Sequence, residues 1–224
     1  MKHGYIKVAA VTPKIKVADP EYNAAAVLKY GREALLRGAN IIVFPELVLS
    51  AYTCNDLFLQ DALLVRVKEA LRTVLRQTAG WNALLFVGLP LEKDNKLYNV
   101  AAVLKNGRIL GFVPKQNIPN YGEFYEYRYF APGSKDVVTV EFDGEKVPFG
   151  AGLLFEGNHP EGLCVGCEIC EDLWVPDPPS KQMALAGAQI IVNLSASDET
   201  VGKADYRKNL VSMTSASLVS AYVY

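Results

Sequence analysis

The sequence predicts a layered α/β domain built on mixed sheets, two of them, with helices outside. Three observations carry this. Buried apolar strands alternate with helical patterns at both ends of the chain, hairpin signals fill its middle, and no linker, repeat or low-complexity tract divides it. At 224 residues the chain can bury a substantial core as one large domain.

In chain order, residues 6–11 alternate loosely and read as a first, mostly buried strand. Asp19-Pro20 then offers an N-cap followed by Pro at the first helical position, opening a helix that runs to about Gly38. Residues 41–44 form a short β-branched strand stopped by Pro45. Leu63, Leu64, Val67, Ala70, Leu71, Val74 and Leu75 keep helical spacing, with charged residues between them. Residues 83–88 are another buried strand. Strands at 97–104 and 108–113 flank Asn106-Gly107, a type I′ hairpin signal, and Asp143-Gly144 sits between two further short strands. Residues 163–170 and 190–194 are again buried strands, joined through a short helix at 181–186. A last helix spans 203–218, and 221–224 begin a strand the chain does not finish, as expected of a piece of a longer protein.

Composition narrows the function. Half the residues are hydrophobic, and Lys plus Arg number 23 against 24 acidic residues. No large field recommends nucleic acid or an anionic membrane as partner. Residues 1–8 lack the apolar stretch of a signal peptide, and no run approaches a membrane span. Cys54, Cys164, Cys167 and Cys170 are no disulfide framework; they fit free thiols in a reducing cytoplasm.

Two histidines occur, His3 at the N-terminus and His159 in a Gly/Pro-rich loop at 157–162. Neither follows a buried strand, so Cys-His or Ser-His pairing and His-rich zinc catalysis are poorly supported. A nucleophile here needs a carboxylate or a lysine as its helper. Glu46, Lys115 and Cys170 each sit at or just past the end of a buried strand, where active-site residues of open α/β sheets gather. Taken singly, a Glu or Lys at a strand end is most often a solvated rim charge, and a Cys in an apolar strand is most often inert core. Together they cover an amide hydrolysis. Cys170 would attack, Glu46 would take its proton and pass it to departing ammonia, and Lys115 with backbone N–H groups would stabilise the oxyanion.

These residues also carry a resemblance. Phe44-Pro-Glu46, Val113-Pro-Lys115 and Ile169-Cys-Glu-Asp172 resemble, in order and spacing, the three signature blocks of the nitrilase superfamily of C–N hydrolases. The stretches 119–130 and 170–174 are similar to one branch, the N-terminal glutaminase domains of glutamine-dependent NAD synthetases. The resemblance implies a nitrilase-like α-β-β-α sandwich over residues 1–224, truncated at its C-terminal end, and a glutamyl thioester intermediate. It implies glutamine as substrate, with Tyr52, Tyr121, Glu126, Trp174, Ser197 and Lys203 around it and the Glu171 backbone N–H at the oxyanion. Glu126 is left with two roles, holding the substrate amine or orienting Lys115. Lys203 stands where relatives often have arginine, which keeps charge but loses the bidentate fork. The resemblance further implies a homo-oligomer and a C-terminal synthetase domain as partner. No cofactor is expected in this domain; ATP and Mg belong to the synthetase, whose Gly-rich phosphate loop does not occur here.

Two other readings stand beside it. One is a stand-alone amidase or carbamoylase of the same superfamily. The other is a metal or iron–sulfur site at Cys164-x-x-Cys167-x-x-Cys170. Residues three apart on a strand point to opposite faces, which separates Cys164 from Cys167.

Overall fold

A computed structural model describes residues 5–158 and 161–224. The two histidines, His3 and His159, lie outside the described residues.

Strands β1 (Val8–Ala10), β2 (Ile41–Val43), β3 (Leu84–Lys93), β4 (Lys96–Lys105), β5 (Arg108–Pro114), β6 (Val138–Phe142) and β7 (Glu145–Phe149) make one sheet, in the order β1-β2-β3-β4-β5-β7-β6. Strands β8 (Leu154–Asn158), β9 (Glu161–Ile169), β10 (Ile190–Leu194) and β11 (Ala221–Val223) make the second, in the order β11-β10-β9-β8. Both are mixed. β1, β2 and β3 pair parallel and β3, β4 and β5 antiparallel, while β9, β10 and β11 pair parallel and β8 antiparallel to β9.

Alternation along the strands sorts the core into layers. Ile41, Val43, Phe86, Ala101 and Val103 from the first sheet meet Val165, Cys167, Ile169, Val192 and Leu194 from the second. The other face of the first sheet, including Ile42, Leu85 and Val87, is covered by α1 (Pro20–Leu36) and α2 (Asp61–Gln77) through Val27, Val67, Leu71 and Val74. On the second sheet, Cys164 and Ile191 face Met183 of α3 (Pro179–Leu185). Helix α4 (Lys203–Leu218) packs against α3 and β11 and buries none of its residues fully. The result is the α-β-β-α sandwich. Cys164 and Cys167 fall in different layers, as the strand alternation requires.

The differences from the sequence reading have local causes. The strand expected at 83–88 runs on to Lys93, because Asp94 and Asn95 take positive φ (51° and 57°) and close a two-residue hairpin without glycine. Four residues of the expected 157–162 loop, Gly157, Asn158, Glu161 and Gly162, belong to β8 and β9. The first strand is shorter than 6–11, and α3 starts two residues before 181, with Pro179 at its first position. A 3-10 segment at Tyr52–Leu59, broken by Asn55 at φ 49°, was not expected. No helix among the described residues is long and apolar enough to cross a membrane.

Candidate active site

Glu46 sits in a buried loop after β2, in which Leu47 takes φ 52°. That loop lies directly on β3. Leu49 N–H donates to Gly88 O at 3.1 Å, and a Cβ at Gly88 would stand 2.3 Å from Leu47 N and 2.6 Å from Pro45 O. Glycine at 88 is therefore what lets the Glu46 backbone approach the strand.

Lys115 leaves β5 with its backbone held on both sides, its N–H on Asn99 O at 2.9 Å and its carbonyl accepting from Gly133 N–H at 2.7 Å. Its side chain is 0% exposed, and its ammonium donates at 2.7 Å to both Glu46 Oε1 and Glu126 Oε1. Glu46 is further held by Asn99 Nδ2 at 2.7 Å and, on Oε2, by Ala196 N–H at 3.0 Å. Glu126, from a 3-10 turn in the aromatic loop, also accepts from Tyr52 Oη at 2.8 Å. Of the two roles left open for Glu126, this geometry shows its Oε1 on the lysine, while its Oε2 has no hydrogen-bond partner among the described residues.

Cys170 begins a 3-10 turn after β9 at φ 45°, an uncommon conformation for a non-glycine residue. Its peptide is gripped by Asn193, whose Oδ1 accepts from Cys170 N–H at 2.8 Å, and Ser195 Oγ lies 3.4 Å from its Sγ. Asp172 ties this turn to the lysine. Its buried carboxylate accepts from the N–H groups of Gln116 and Asn117, just after Lys115, and from that of Ile169, just before Cys170. Glu46, Lys115 and Cys170 are thereby brought to one buried locus from three strand ends.

The electrostatics follow. Burial alone disfavours the Lys115 ammonium, but the Glu46 and Glu126 carboxylates beside it outweigh burial and hold the lysine charged. Burial, with Glu46 nearby, pushes Glu126 up to about 7 against the pull of Lys115. Burial and Glu46 also raise the Cys170 thiol above its ordinary range, so the resting group is a thiol rather than a thiolate.

Residues 7–222 match the carbon-nitrogen hydrolase family. The chain belongs to that family. It is 44% identical over 223 residues to the glutamine-dependent NAD(+) synthetase of Mycobacterium tuberculosis, an alignment covering 100% of this chain and 33% of that protein. It superimposes on a glutamine-dependent NAD(+) synthetase from Cytophaga hutchinsonii with TM-score 0.86 and 28% identity, over 97% of this chain and 35% of that one. An amidase from Nesterenkonia sp. shares the fold at TM-score 0.74 and 18% identity, covering 100% of this chain and 77% of that chain. The chain spans about a third of the length of the curated relatives it matches.

In this carbon-nitrogen hydrolase the other expected residues form two groups. Tyr52 and Ser197 line a cavity of about 410 Å³ with Glu46, Ser195, Arg207 and Tyr224. Tyr121, Glu171, Trp174 and Lys203 make a second group. Tyr121 Oη donates to the Glu171 carboxylate at 2.9 Å, and Lys203 pairs with Asp198 while its ammonium stands 5.3 Å from the Trp174 ring and 5.5 Å from that of Phe124. Trp174 stacks on Tyr206 at 5.5 Å. The reading of the sequence missed Asn99, Asn193, Ser195 and the role of Asp172. Asn99 and Asn193 had a signal, since each is the one polar residue within an apolar strand segment. Ser195 had none. Among the described residues no group of three His, Cys, Asp or Glu is disposed to hold a metal.

Two buried acids give this site a pH signature. Burial lifts Asp172, like Glu126, to about 7, while the unfolded values are about 3.9 and 4.3. Between those limits the folded state binds more protons than the unfolded one, so these groups make stability fall as pH rises. The surface acids Glu21, Asp56 and Asp143 are held low by arginines and act with the opposite sign, in a more acidic window. Denaturant unfolding should therefore show stability declining from about pH 4 to about pH 7, and both Asp172→Asn and Glu126→Gln should flatten that slope. An unchanged slope in both variants would contradict the assignment.

Proposed function

We propose that this chain hydrolyses the side-chain amide of glutamine through a glutamyl thioester on Cys170. The ammonia would feed an ATP-dependent synthetase domain that converts deamido-NAD to NAD. The observation that carries the chemistry is the buried Lys115 ammonium held 2.7 Å from Glu46 and Glu126 beside the Cys170 thiol. The choice of glutamine is supported by likeness over the whole chain to glutamine-dependent NAD(+) synthetases.

In this reading the Cys170 sulfur attacks the amide carbon as its proton passes to Glu46. The raised thiol pKa favours this coupled transfer over a preformed thiolate. The oxyanion that forms faces Lys115 Nζ and the Glu171 backbone N–H. Glu46 returns the proton to the nitrogen as the C–N bond breaks and ammonia departs. Water, deprotonated by Glu46, then attacks the thioester; glutamate leaves and the thiol is restored. Tyr52, Tyr121, Trp174, Ser197 and Lys203 surround the substrate, and Glu126 keeps Lys115 charged and aimed. The domain needs no cofactor of its own, with ATP and Mg held by the synthetase domain. It works as part of a homo-oligomer, and its free thiols suit a reducing cytoplasm.

Ammonia protonates readily at neutral pH, so a glutaminase that serves a second site gains from restraint until that site is loaded. The test compares glutamate release by this chain and by the intact protein, with and without ATP and deamido-NAD. Slow release by the chain alone and faster release by the loaded protein are expected, the mark of coupling between two sites. A chain as fast as the loaded protein removes the coupling, and turnover of other amides in preference to glutamine removes the substrate.

A further inference from the structure

We propose that Glu168 and Tyr222 are positioning residues that act through Asn193 to hold the Cys170 backbone in the conformation from which its sulfur attacks. The inference rests on Cys170 being the nucleophile.

Glu168 is a buried carboxylate for which the hydrolysis has no use, 1% exposed and, among the described residues, with no cation on it. Charge buried in this way is costly unless its oxygens are fully engaged. They are. Glu168 Oε2 accepts from Ser180 N–H at 2.7 Å, and Oε1 accepts from the Tyr222 hydroxyl. Tyr222 Oη in turn accepts from Asn193 Nδ2 at 3.1 Å. Asn193 then presents its Oδ1 to Cys170 N–H at 2.8 Å, while Nδ2 lies 3.4 Å from Cys170 O. Glu168 and Asn193 stand opposite each other in the parallel pairing of β9 and β10, and Tyr222 lies on β11 beside them.

The direction of this relay is set at one end only. A hydroxyl and a primary amide can each be turned round, but a carboxylate only accepts. Burial raises the Glu168 carboxyl, and the hydrogen bonds it takes from Tyr222 and Ser180 act against that and favour the ionised form. Glu168 therefore makes Tyr222 the donor, which leaves the Tyr222 oxygen to accept from Nδ2 and aims Oδ1 at Cys170. Reversed, Asn193 would point an N–H at the N–H of Cys170. That arrangement repels, and it would release a residue held at φ 45°, where a non-glycine backbone does not stay without support. The relay also occupies the Cys170 N–H, leaving the N–H of Glu171 for the oxyanion.

The experiment measures glutamine hydrolysis by the intact protein carrying Tyr222→Phe, Glu168→Gln or both, with Cys170→Ala as control. Tyr222→Phe removes one oxygen, and Glu168→Gln keeps size while allowing the relay to reverse. Each is expected to lower kcat about tenfold with KM nearly unchanged, the size of one misdirected buried hydrogen bond. Each should slow alkylation of Cys170 by a glutamine-like chloroketone to a similar degree. The double variant should lose no more than either single one, because both act through the same amide. A purely structural role predicts lowered thermal stability with kcat unchanged, or losses that multiply; either overturns the relay. Hydrolysis that survives Cys170→Ala removes the nucleophile itself. Hydrolysis lost there but indifferent to Tyr222→Phe removes the relay alone.

Discussion

Cys170→Ala is expected to leave a folded protein with no measurable glutamine hydrolysis, a loss on the order of 10⁴-fold or more. Ser195 Oγ lies 3.4 Å from the sulfur, but it is engaged with Tyr224 Oη at 2.8 Å, and its own reactivity is weak without a base on it. The cost in stability should be small, since one sulfur at the end of a strand is removed. Cys167→Ser is the instructive contrast. Cys167 is fully buried between the two sheets, and a serine hydroxyl there would meet Val165, Ile169 and Val192. It should cost about 1–3 kcal/mol in unfolding free energy while leaving kcat close to that of the parent. Hydrolysis retained by Cys170→Ala, or abolished by Cys167→Ser in a folded protein, would mean the nucleophile is misassigned.

Lys115→Met is expected to damage both stability and activity. The methionine fills the space, but it leaves Glu46 and Glu126, each buried, without the cation that bridges them at 2.7 Å. Removing one partner from a buried ionic cluster typically costs about 3–5 kcal/mol, more than the lost attraction alone, because the remaining charge stays desolvated. The two carboxyls can lessen this only by taking up a proton. Glu126 is the one disposed to do so, being already lifted to about 7. Adding Glu126→Gln to Lys115→Met should therefore restore much of the stability and none of the hydrolysis. Denaturant unfolding and glutamate release, measured on the same preparations, decide it. Recovery of activity in the double variant would show that the lysine does not act on the oxyanion.

The layers were legible from the sequence because periodicity reports burial. The α2 stripe from Leu63 to Val74 buries the face its pattern marks, while the helix at Lys203–Leu218 stands where it was read but buries none of its residues fully. The three loci of the site were legible for a different reason. Charged or nucleophilic residues that end apolar strands are few in this chain, and a lack of well-placed histidine left few ways to combine them. What could not be read was the wiring between them. Asp172 reaches across 55 residues of sequence to the backbone of Asn117, and Ala196 reaches 150 residues to Glu46. No local pattern encodes such bonds; they exist only once β9 and β10 are stacked beside β5. The role of Glu126 lay open for the same cause, because its neighbours Tyr52 and Lys115 come from separate segments.

The most direct test of the central claim is to stop the reaction with acid during turnover of glutamine and map the protein by mass spectrometry. The account predicts a glutamyl adduct on the peptide carrying Cys170, labile to base and to hydroxylamine, and absent from Cys170→Ala. Turnover that proceeds with Cys170 unmodified, or an adduct on any other residue, would contradict it.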